Sequence, residues 1–426
     1  MKDRVAAAWA SMRGLDRAIA QGFSSLLALR MIEKLAGFGV TVLMFRMLDK
    51  EQLGQYGFIQ TAVALCAIFG IPEFQNTVSQ SVARGHPGTY RAALPRALRF
   101  SAIGVVLLGG LGLGYLQAGQ TALAWGLLVA APLLPALHAC TAWKGVLLGE
   151  ARFSSFSRAE ASNALLRAAL ITTALWLFPG SLLAPVIAFF IVPAAQNLRQ
   201  TWLACRRISP TAQEESGAIR YGLQSNVYSA VGIVVANLDR LLIFTLLSPA
   251  LLAVYMAAEK FSDLLQGMVQ DMAAVLAIRF SQMIRYSHRL DDALKLASVA
   301  IAVFVLLFAW LAVPPLTVLI FGEVYRESIV YAQALVSTVA VGNIATLRFR
   351  FIRSKLDTAS YRNVLLTGSF GKLAASLVLI PLFGLAGAVG SVLCHRIVLA
   401  MITAHTIKTR YLAAASTQAS GHDGSR

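Results

Sequence analysis

Charge is scarce in this chain. Asp, Glu, Lys and Arg together make up 13% of its 426 residues, against about 25% in a typical soluble domain. A chain of this length could form two soluble domains, but it has too little charge to cover their surfaces. Acidic side chains are the rarer sign, 20 against 37 basic ones, which leaves a net charge of +17. Cysteine is nearly absent. Cys66, Cys140, Cys205 and Cys394 all lie in or beside apolar stretches without a CxxC pair, so packing fits them better than a disulfide framework or a metal site. The signatures GxxxxGK[ST], HExxH and GxSxG are missing. Long polar loops are missing too. The longest non-helical candidates are 206–218, 313–327 and the polar tail STQASGHDGSR, which reads as disordered. None has room for a soluble catalytic domain. The opening MKDRVAAAWASMRGLDRAIA lacks the continuous apolar centre and cleavage site of a signal peptide. Its Val5, Trp9, Met12, Leu15 and Ile19 recur at helical spacing, as in a helix lying on a membrane surface.

What the chain has in quantity is hydrophobic residues, 57% of the total, with a mean hydropathy of +0.67. About 20 apolar residues at 1.5 Å rise cross a bilayer, and about twelve such stretches can be read here. They run over 24–47, 54–83, 98–117, 121–143, 159–178, 182–205, 219–247, 250–282, 294–313, 328–347, 362–380 and 384–407. Pro72, Pro132, Pro135, Pro185 and Pro193 are candidate kinks within them.

The basic residues fall in alternate loops. Lys2, Arg4, Arg13 and Arg17 precede the first stretch, Arg84, Arg91, Arg96 and Arg99 lie around the second loop, and Lys144, Arg152 and Arg158 around the fourth. Arg199, Arg206, Arg207 and Arg220 surround the sixth, Arg279, Arg285, Arg289 and Lys295 the eighth, and Arg348 to Arg362 the tenth, while Lys408 and Arg410 follow the last stretch. The intervening loops hold little beyond Lys50 and Arg326. By the positive-inside rule both termini are cytoplasmic. The charge serves topology, so no nucleic-acid partner is expected.

An internal repeat is visible at an offset of 199: LMFRMLDKEQLGQYGF, from Leu43, lies over LIFTLLSPALLAVYMA, from Leu242. Phe45, Leu48, Leu53 and Tyr56 match Phe244, Leu247, Leu252 and Tyr255. Six helices per half give both halves the same orientation in the membrane, a parallel repeat. The expected organisation is a surface segment 1–23, a six-helix bundle 24–205, a linker 206–218, a second bundle 219–410 and a tail 411–426. The fold class expected is an all-α integral membrane protein, about twelve helices in two six-helix bundles around a central cavity.

Charges inside the stretches cost about 2.5–3.5 kcal/mol each on insertion scales, so they usually face the bundle interior or a water-filled cavity. In VANLDRLLIF, Asp239 and Arg240 interrupt an apolar run. Helix eight carries Glu259, Asp263, Gln266 and Gln270 on one face, helix one Arg30, Lys34, Gly37 and Thr41, and helix two Glu73, Asn76 and Gln80. Arg240 and Glu259 both fall roughly 10–14 Å below the periplasmic surface by helix rise. Arg240–Glu259 and Asp239–Lys260 are therefore candidate pairs, and Lys34 shares a depth with Glu73. Arg30, Lys34, Arg240, Lys260, Lys372 and Arg396 are candidate cations for an anionic cargo. Simple neutralisation and helix packing remain the competing reading for these residues. Glu73, Asp239, Glu259 and Asp263 are candidate pairing acids, and a proton or sodium ion coupled to them stays open. No cofactor is expected. His138 reads as a hydrogen-bonded core residue.

Several stretches resemble one family. NLDRLLIFTLLSPALLAVY resembles the helix seven to helix eight signature of the bacterial polysaccharide-biosynthesis flippases, and FRMLDKEQLGQYGF its first-half counterpart. VLIFGEVY is similar to the family's segment between helices nine and ten, and IPLFGLAGAVGSVL to its turn into helix twelve. The resemblance spans roughly 20–410. It implies the fold of the multidrug/oligosaccharidyl-lipid/polysaccharide exporter superfamily in the bacterial inner membrane. It also implies translocation of undecaprenyl-pyrophosphate-linked oligosaccharide for a surface polysaccharide such as O-antigen, capsule or exopolysaccharide. The partners implied are that lipid-linked oligosaccharide, membrane lipid, and a polysaccharide polymerase with its chain-length regulator. A cation-coupled drug exporter of the same superfamily is the nearest alternative, and a membrane polymerase or ligase a more distant one.

The charge pattern makes a topological prediction. Reporter fusions after Lys50, Gly180 and Leu382 should read periplasmic, and those after Arg91, Arg207 and Arg353 cytoplasmic. One fusion on the wrong side would break the helix count.

Overall fold

The computed structural model describes residues 32–282, 286, 288–354 and 358–412. These residues are helical apart from short turns, and no strand occurs among them. They fall into twelve helical segments, the first being α1 (32–47). Then come α2 (Lys50–Gly70, continuing as Glu73–Ala83), α3 (Gly88–Gln117), α4 (Thr121–Gly149), α5 (Phe153–Leu177) and α6 (Leu183–Arg207). The rest are α7 (Ala218–Leu247), α8 (Pro249–Gln282), α9 (His288–Phe321), α10 (Ser328–Ser354), α11 (358–383) and α12 (385–412), the last two divided at Gly384. Among the described residues, seven spans are long and apolar enough to cross a membrane. Their exposed side chains include Ile103, Val106 and Leu107 on α3 and Val299, Val303 and Phe304 on α9, apolar surface that a bilayer would cover. In hydrocarbon no water is at hand for the backbone, so helices that bond internally are the economical solution.

The chain divides by contacts into two units, residues 1–233 and 234–426. The division falls inside α7. Its first half belongs to the first unit, where Asn226 donates to the Ile68 carbonyl at 3.0 Å and Gly222 lies against Phe74.

The prolines act unequally. At Pro72 α2 breaks: Ile71 takes a left-handed φ of 50°, and the helix restarts at Glu73. Pro132 and Pro135 lie where α4 alternates between α and 3-10 turns. There the carbonyls of Ala136, Leu137 and Cys140 accept hydrogen bonds from Asn197 and Thr201, one turn apart on α6, at 3.0–3.3 Å. Asn197 in turn accepts from the Trp143 indole at 3.1 Å. Pro185 sits in the first turn of α6, where no backbone donor is needed, and Pro193 lies inside that helix.

One expectation changes in part. The first part of the segment 313–327 is helical, because α9 runs through Pro314 and Pro315 to Phe321, and the turn is confined to 322–327. A π-turn at Phe308–Ala312 resets the hydrogen-bond register just before these prolines, so their missing N–H groups fall in a first turn. The linker after α6 is anchored. Arg84 holds Glu215 through two bonds of 2.8 Å, the Glu215 N–H donates to Thr89 at 3.0 Å, and Gly88 N–H donates to Gln213 at 3.1 Å. The segments 1–23 and 413–426 and residue Arg30 lie outside the described residues.

The repeat has a structural counterpart in its caps. Asp49 accepts from the Gln52 N–H at 2.8 Å at the start of α2, and Ser248 accepts from Leu251 N–H at 3.2 Å at the start of α8. Both residues of each pair differ by the same 199 positions. Tyr56 and Tyr255 are both buried one turn further on.

The second part of α2 packs against the end of α4 through Gly145 and Gly149, spaced four apart as in small-residue helix contacts. A Cβ at Gly145 would stand 2.3 Å from the Gln75 carbonyl oxygen, so the two backbones would have to separate. Gly145→Val should destabilise the protein by about 1–3 kcal/mol or more. Gly110→Ala, where a Cβ meets nothing within 4 Å, should be neutral. Thermal unfolding of the detergent-purified variants checks both, and equal melting temperatures would contradict the packing.

Candidate functional site

The two charges that interrupt α7 point in different directions, since adjacent helical residues are about 100° apart. Asp239 points inward and is 2% exposed. Its Oδ2 lies 2.7 Å from Lys372 Nζ, its Oδ1 accepts from Ser376 at 2.8 Å, and the Tyr255 hydroxyl approaches at 3.4 Å. Lys372 and Ser376 are one turn apart on α11, so a single helix face supplies both donors. This corrects the expected Asp239–Lys260 pair. Equal depth made Lys260 a candidate, but α11 lies against this face of α7. Lys372, expected as a cargo-binding cation, is first of all the counter-ion of Asp239.

Arg240 turns toward α8, as depth suggested. Its Nε and Nη2 both reach Oε2 of Glu259, at 2.9 and 2.8 Å. Both side chains keep some exposure, 24% and 19%, which separates this pair from the sealed Asp239. One turn beyond Glu259 stands the exposed Asp263, and beyond that Gln266. Gln266 Oε1 accepts from Arg396 Nη1 at 2.6 Å, while Arg396 Nε is buried without a partner. Arg396 reaches this position over Gly342, where a Cβ would stand 2.4 Å from Arg396 Cδ. Glu259, Asp263 and Gln266 thus present their stripe to Arg240 on one side and Arg396 on the other, with Lys260 half-buried beside them. The second unit gathers four cations and three acids in this region: Arg240, Lys260, Lys372 and Arg396 with Asp239, Glu259 and Asp263. Its positive excess is one charge, smaller than the cations alone suggest.

The remaining candidates lie in the first unit. Lys34 is exposed on α1. Glu73 opens the second part of α2, accepting from Asn76 at 3.0 Å and from the Ser229 hydroxyl on α7. His138 is packed against Gly70 at the break in α2. Its ring is hydrogen-bonded to the Val63 backbone, as expected of a core histidine, while Nε2 has no partner.

The sequence reading missed one buried network. Asp291 on α9 accepts from Arg348 Nη2 on α10 at 2.9 Å and from the Tyr286 hydroxyl at 2.6 Å, and it pairs with Lys295 at 3.0 Å. The signal available was the acidic pair Asp291–Asp292 at the start of a stretch otherwise flanked by arginines. No group of His, Cys, Asp and Glu suited to a metal ion occurs among the described residues.

The class these features define is a multi-pass, all-helical membrane protein with ion pairs inside its second unit. The family model for polysaccharide biosynthesis protein matches residues 19–284, and the chain belongs to that family. No curated protein matches it. Among solved structures it is similar to the lipid II flippase MurJ in an inward closed conformation, with 13% identity, coverage of 90% of this chain and 87% of that one, and a TM-score of 0.70. It is also similar to a multidrug resistance MATE family transporter of the MOP superfamily in its outward-facing conformation, with 15% identity, coverage of 94% and 96%, and a TM-score of 0.60. A MOP superfamily transporter from Pyrococcus furiosus matches with 14% identity, coverage of 90% and 91%, and a TM-score of 0.55.

The sealed pair yields a stability prediction. Lys372→Met leaves Asp239 buried without its counter-ion and should cost about 3–5 kcal/mol. Asp239→Leu combined with Lys372→Met removes both charges and should recover most of that loss. Thermal melting of the three proteins in detergent decides it. A double variant no more stable than Lys372→Met would refute the pairing.

Proposed function

We propose that this protein is a flippase. It moves undecaprenyl-pyrophosphate-linked oligosaccharide from the cytoplasmic to the outer leaflet of the bacterial inner membrane, supplying surface polysaccharide synthesis. The observation that carries the reading is the match to the polysaccharide biosynthesis protein family over residues 19–284 in a chain built of membrane helices. A pathway that assembles its glycan on a cytoplasmic lipid needs such a step, and the short turns between these helices leave no room for a catalytic domain.

The charged groups support an anionic cargo. Arg240 and Arg396 are partly exposed, and each has donors beyond those used by Glu259 and Gln266. A guanidinium suits the oxygens of a pyrophosphate. Arg30 and Lys34 would meet the same headgroup near the cytoplasmic leaflet. Each contact must release as readily as it forms, so several modest ones suit transport better than one tight site. Asp263, flanked by the two arginines, is the acid best placed to answer a proton or sodium ion.

Complementation of a flippase-null strain tests the reading, with surface polysaccharide and stalled lipid-linked precursor both quantified. Arg240→Glu and Arg30→Glu should each nearly abolish export at normal protein level, while Arg240→Lys retains part of it because charge persists without the fork. The swap Arg240→Glu with Glu259→Arg re-forms an ion pair and should keep the normal protein level without restoring export. Full export by both Arg→Glu variants would remove the cationic-cargo reading and favour a drug exporter.

A further inference from the structure

A cavity of about 420 Å³ lies in the first unit, between the end of α4 and the facing sides of α5 and α6. Arg152, Arg158, Arg199 and Arg207 line it, above a floor that includes Trp143 and the buried Gln196. All four arginines are exposed, so their donors are open to a ligand. Their counter-charges are few. Glu150 takes the guanidinium of Arg207 and lies 3.7 Å from that of Arg152. The nearby Glu160 is occupied by Lys144 at 2.7 Å. Arg158 bonds only the Ser154 carbonyl of its own helix, at 3.4 Å, and Arg199 has no ion pair with a described residue. A hollow with four guanidinium groups and one carboxylate at its edge is a site for an anion with several oxygens.

Its position points to a lipid. The cavity sits at the α4–α5 turn and the end of α6, the ends that the charge pattern assigns to the cytoplasm. On the outer side of α6, half-exposed Trp202 carries the Arg206 guanidinium 3.8 Å above its ring, an aromatic and cation at the level where headgroups begin. Toward the membrane interior α5 and α6 expose Leu165, Leu166, Ile191 and Leu198, a surface for acyl chains. Basic pockets between membrane helices on this side are suited to anionic headgroups.

We propose that this cavity binds the phosphate headgroup of an anionic phospholipid from the cytoplasmic leaflet, with Arg158 and Arg199 as its principal contacts. The site is separate from the charged cluster of the second unit and does not depend on which cargo is carried. Lipid held here would brace α5 and α6 against α4, the helix interrupted by 3-10 turns.

The test uses the full chain purified in a neutral detergent, with retained lipid counted by native mass spectrometry. The probes are dioleoyl phosphatidylglycerol, dioleoyl phosphatidylcholine and inorganic phosphate. The wild type should retain phosphatidylglycerol at least about tenfold more tightly than R158Q/R199Q, while phosphatidylcholine binds both proteins weakly and alike. R158K/R199K should keep most of the affinity. R96Q, which removes a cytoplasmic arginine outside the cavity, should bind as wild type. If the double glutamine variant does not fold, R199Q alone should show a reduced affinity of the same kind. Equal phosphatidylglycerol retention by wild type and the folded glutamine variants would overturn the proposal. So would inorganic phosphate at millimolar concentration displacing the lipid fully, because the site would then be one for free phosphate.

Discussion

A carboxylate placed among apolar helices must be held by other protein groups, and Asp239 is the point in this chain where that requirement is strictest. It is almost fully buried, and three donors from α8 and α11 surround it. The arrangement fixes more than one charge. It ties the second half of α7 to α11 through Lys372 and Ser376, and to α8 through Tyr255. Because Arg240 follows directly in sequence, fixing the rotation of α7 at Asp239 also aims Arg240 at Glu259. The exposed pair is thus oriented by the sealed one. A charged pair of this kind does not owe its place to stability, since removing both charges often costs little. Its use here is positional: it sets which face of α7 carries the cation that remains accessible.

The two units solve the buried-polar problem by different means. The first uses neutral groups between α4 and α6, beside the part-buried Lys144–Glu160 pair. Asn197 and Thr201 bond carbonyls left open where α4 changes helical type, and the Trp143 indole completes the set. The second relies on ions, with Asp239–Lys372, Arg240–Glu259 and Asp291–Arg348 in the same unit. The repeated caps at Asp49 and Ser248 mark the two halves as related in plan, yet the tyrosine that follows each cap has a different setting. Tyr255 faces a carboxylate, whereas Tyr56 packs edge-on to Phe189. The carboxylate beside the tyrosine is therefore a feature of the second copy of the plan.

The helices themselves were readable because hydrocarbon leaves little choice: apolar runs of sufficient length, punctuated by basic turns, have one economical backbone form. Arg240–Glu259 was readable as well. Its partners lie on consecutive helices joined by a short turn, so distance from that turn gives depth. The same arithmetic failed for Asp239, because its partner is on α11, and sequence does not say which distant helix will lie against a given face. Asp291–Arg348 escaped for another reason: α9 and α10 are consecutive, but both residues fall just outside the apolar stretches 294–313 and 328–347, so neither reads as a charge inside a span. The break at Pro72 was visible as a kink, but the left-handed Ile71 before it was not, since that conformation is imposed by how the two parts of α2 pack. Pro314 and Pro315 lie in a segment read as non-helical, yet a π-turn just upstream turns that position into a new first turn.

The distribution of exposed and sealed charge bears on how a cargo could be released. A cation fully committed to a buried acid cannot bind and let go of anything without first breaking that pair, at a cost of several kcal/mol. Lys372 is in that condition. Arg240 is not: both its contacts fall on one oxygen of Glu259, leaving further N–H donors for a second anion. Arg396 resembles it, since its one bond is to a neutral amide and its Nε has no partner. Arg240 and Arg396 therefore both keep donors that no carboxylate claims. The strongly held pair fixes the helix face, and the weakly held cations keep unused donors on it. Within one stretch of α7, Asp239 and Arg240 divide those two tasks between adjacent residues.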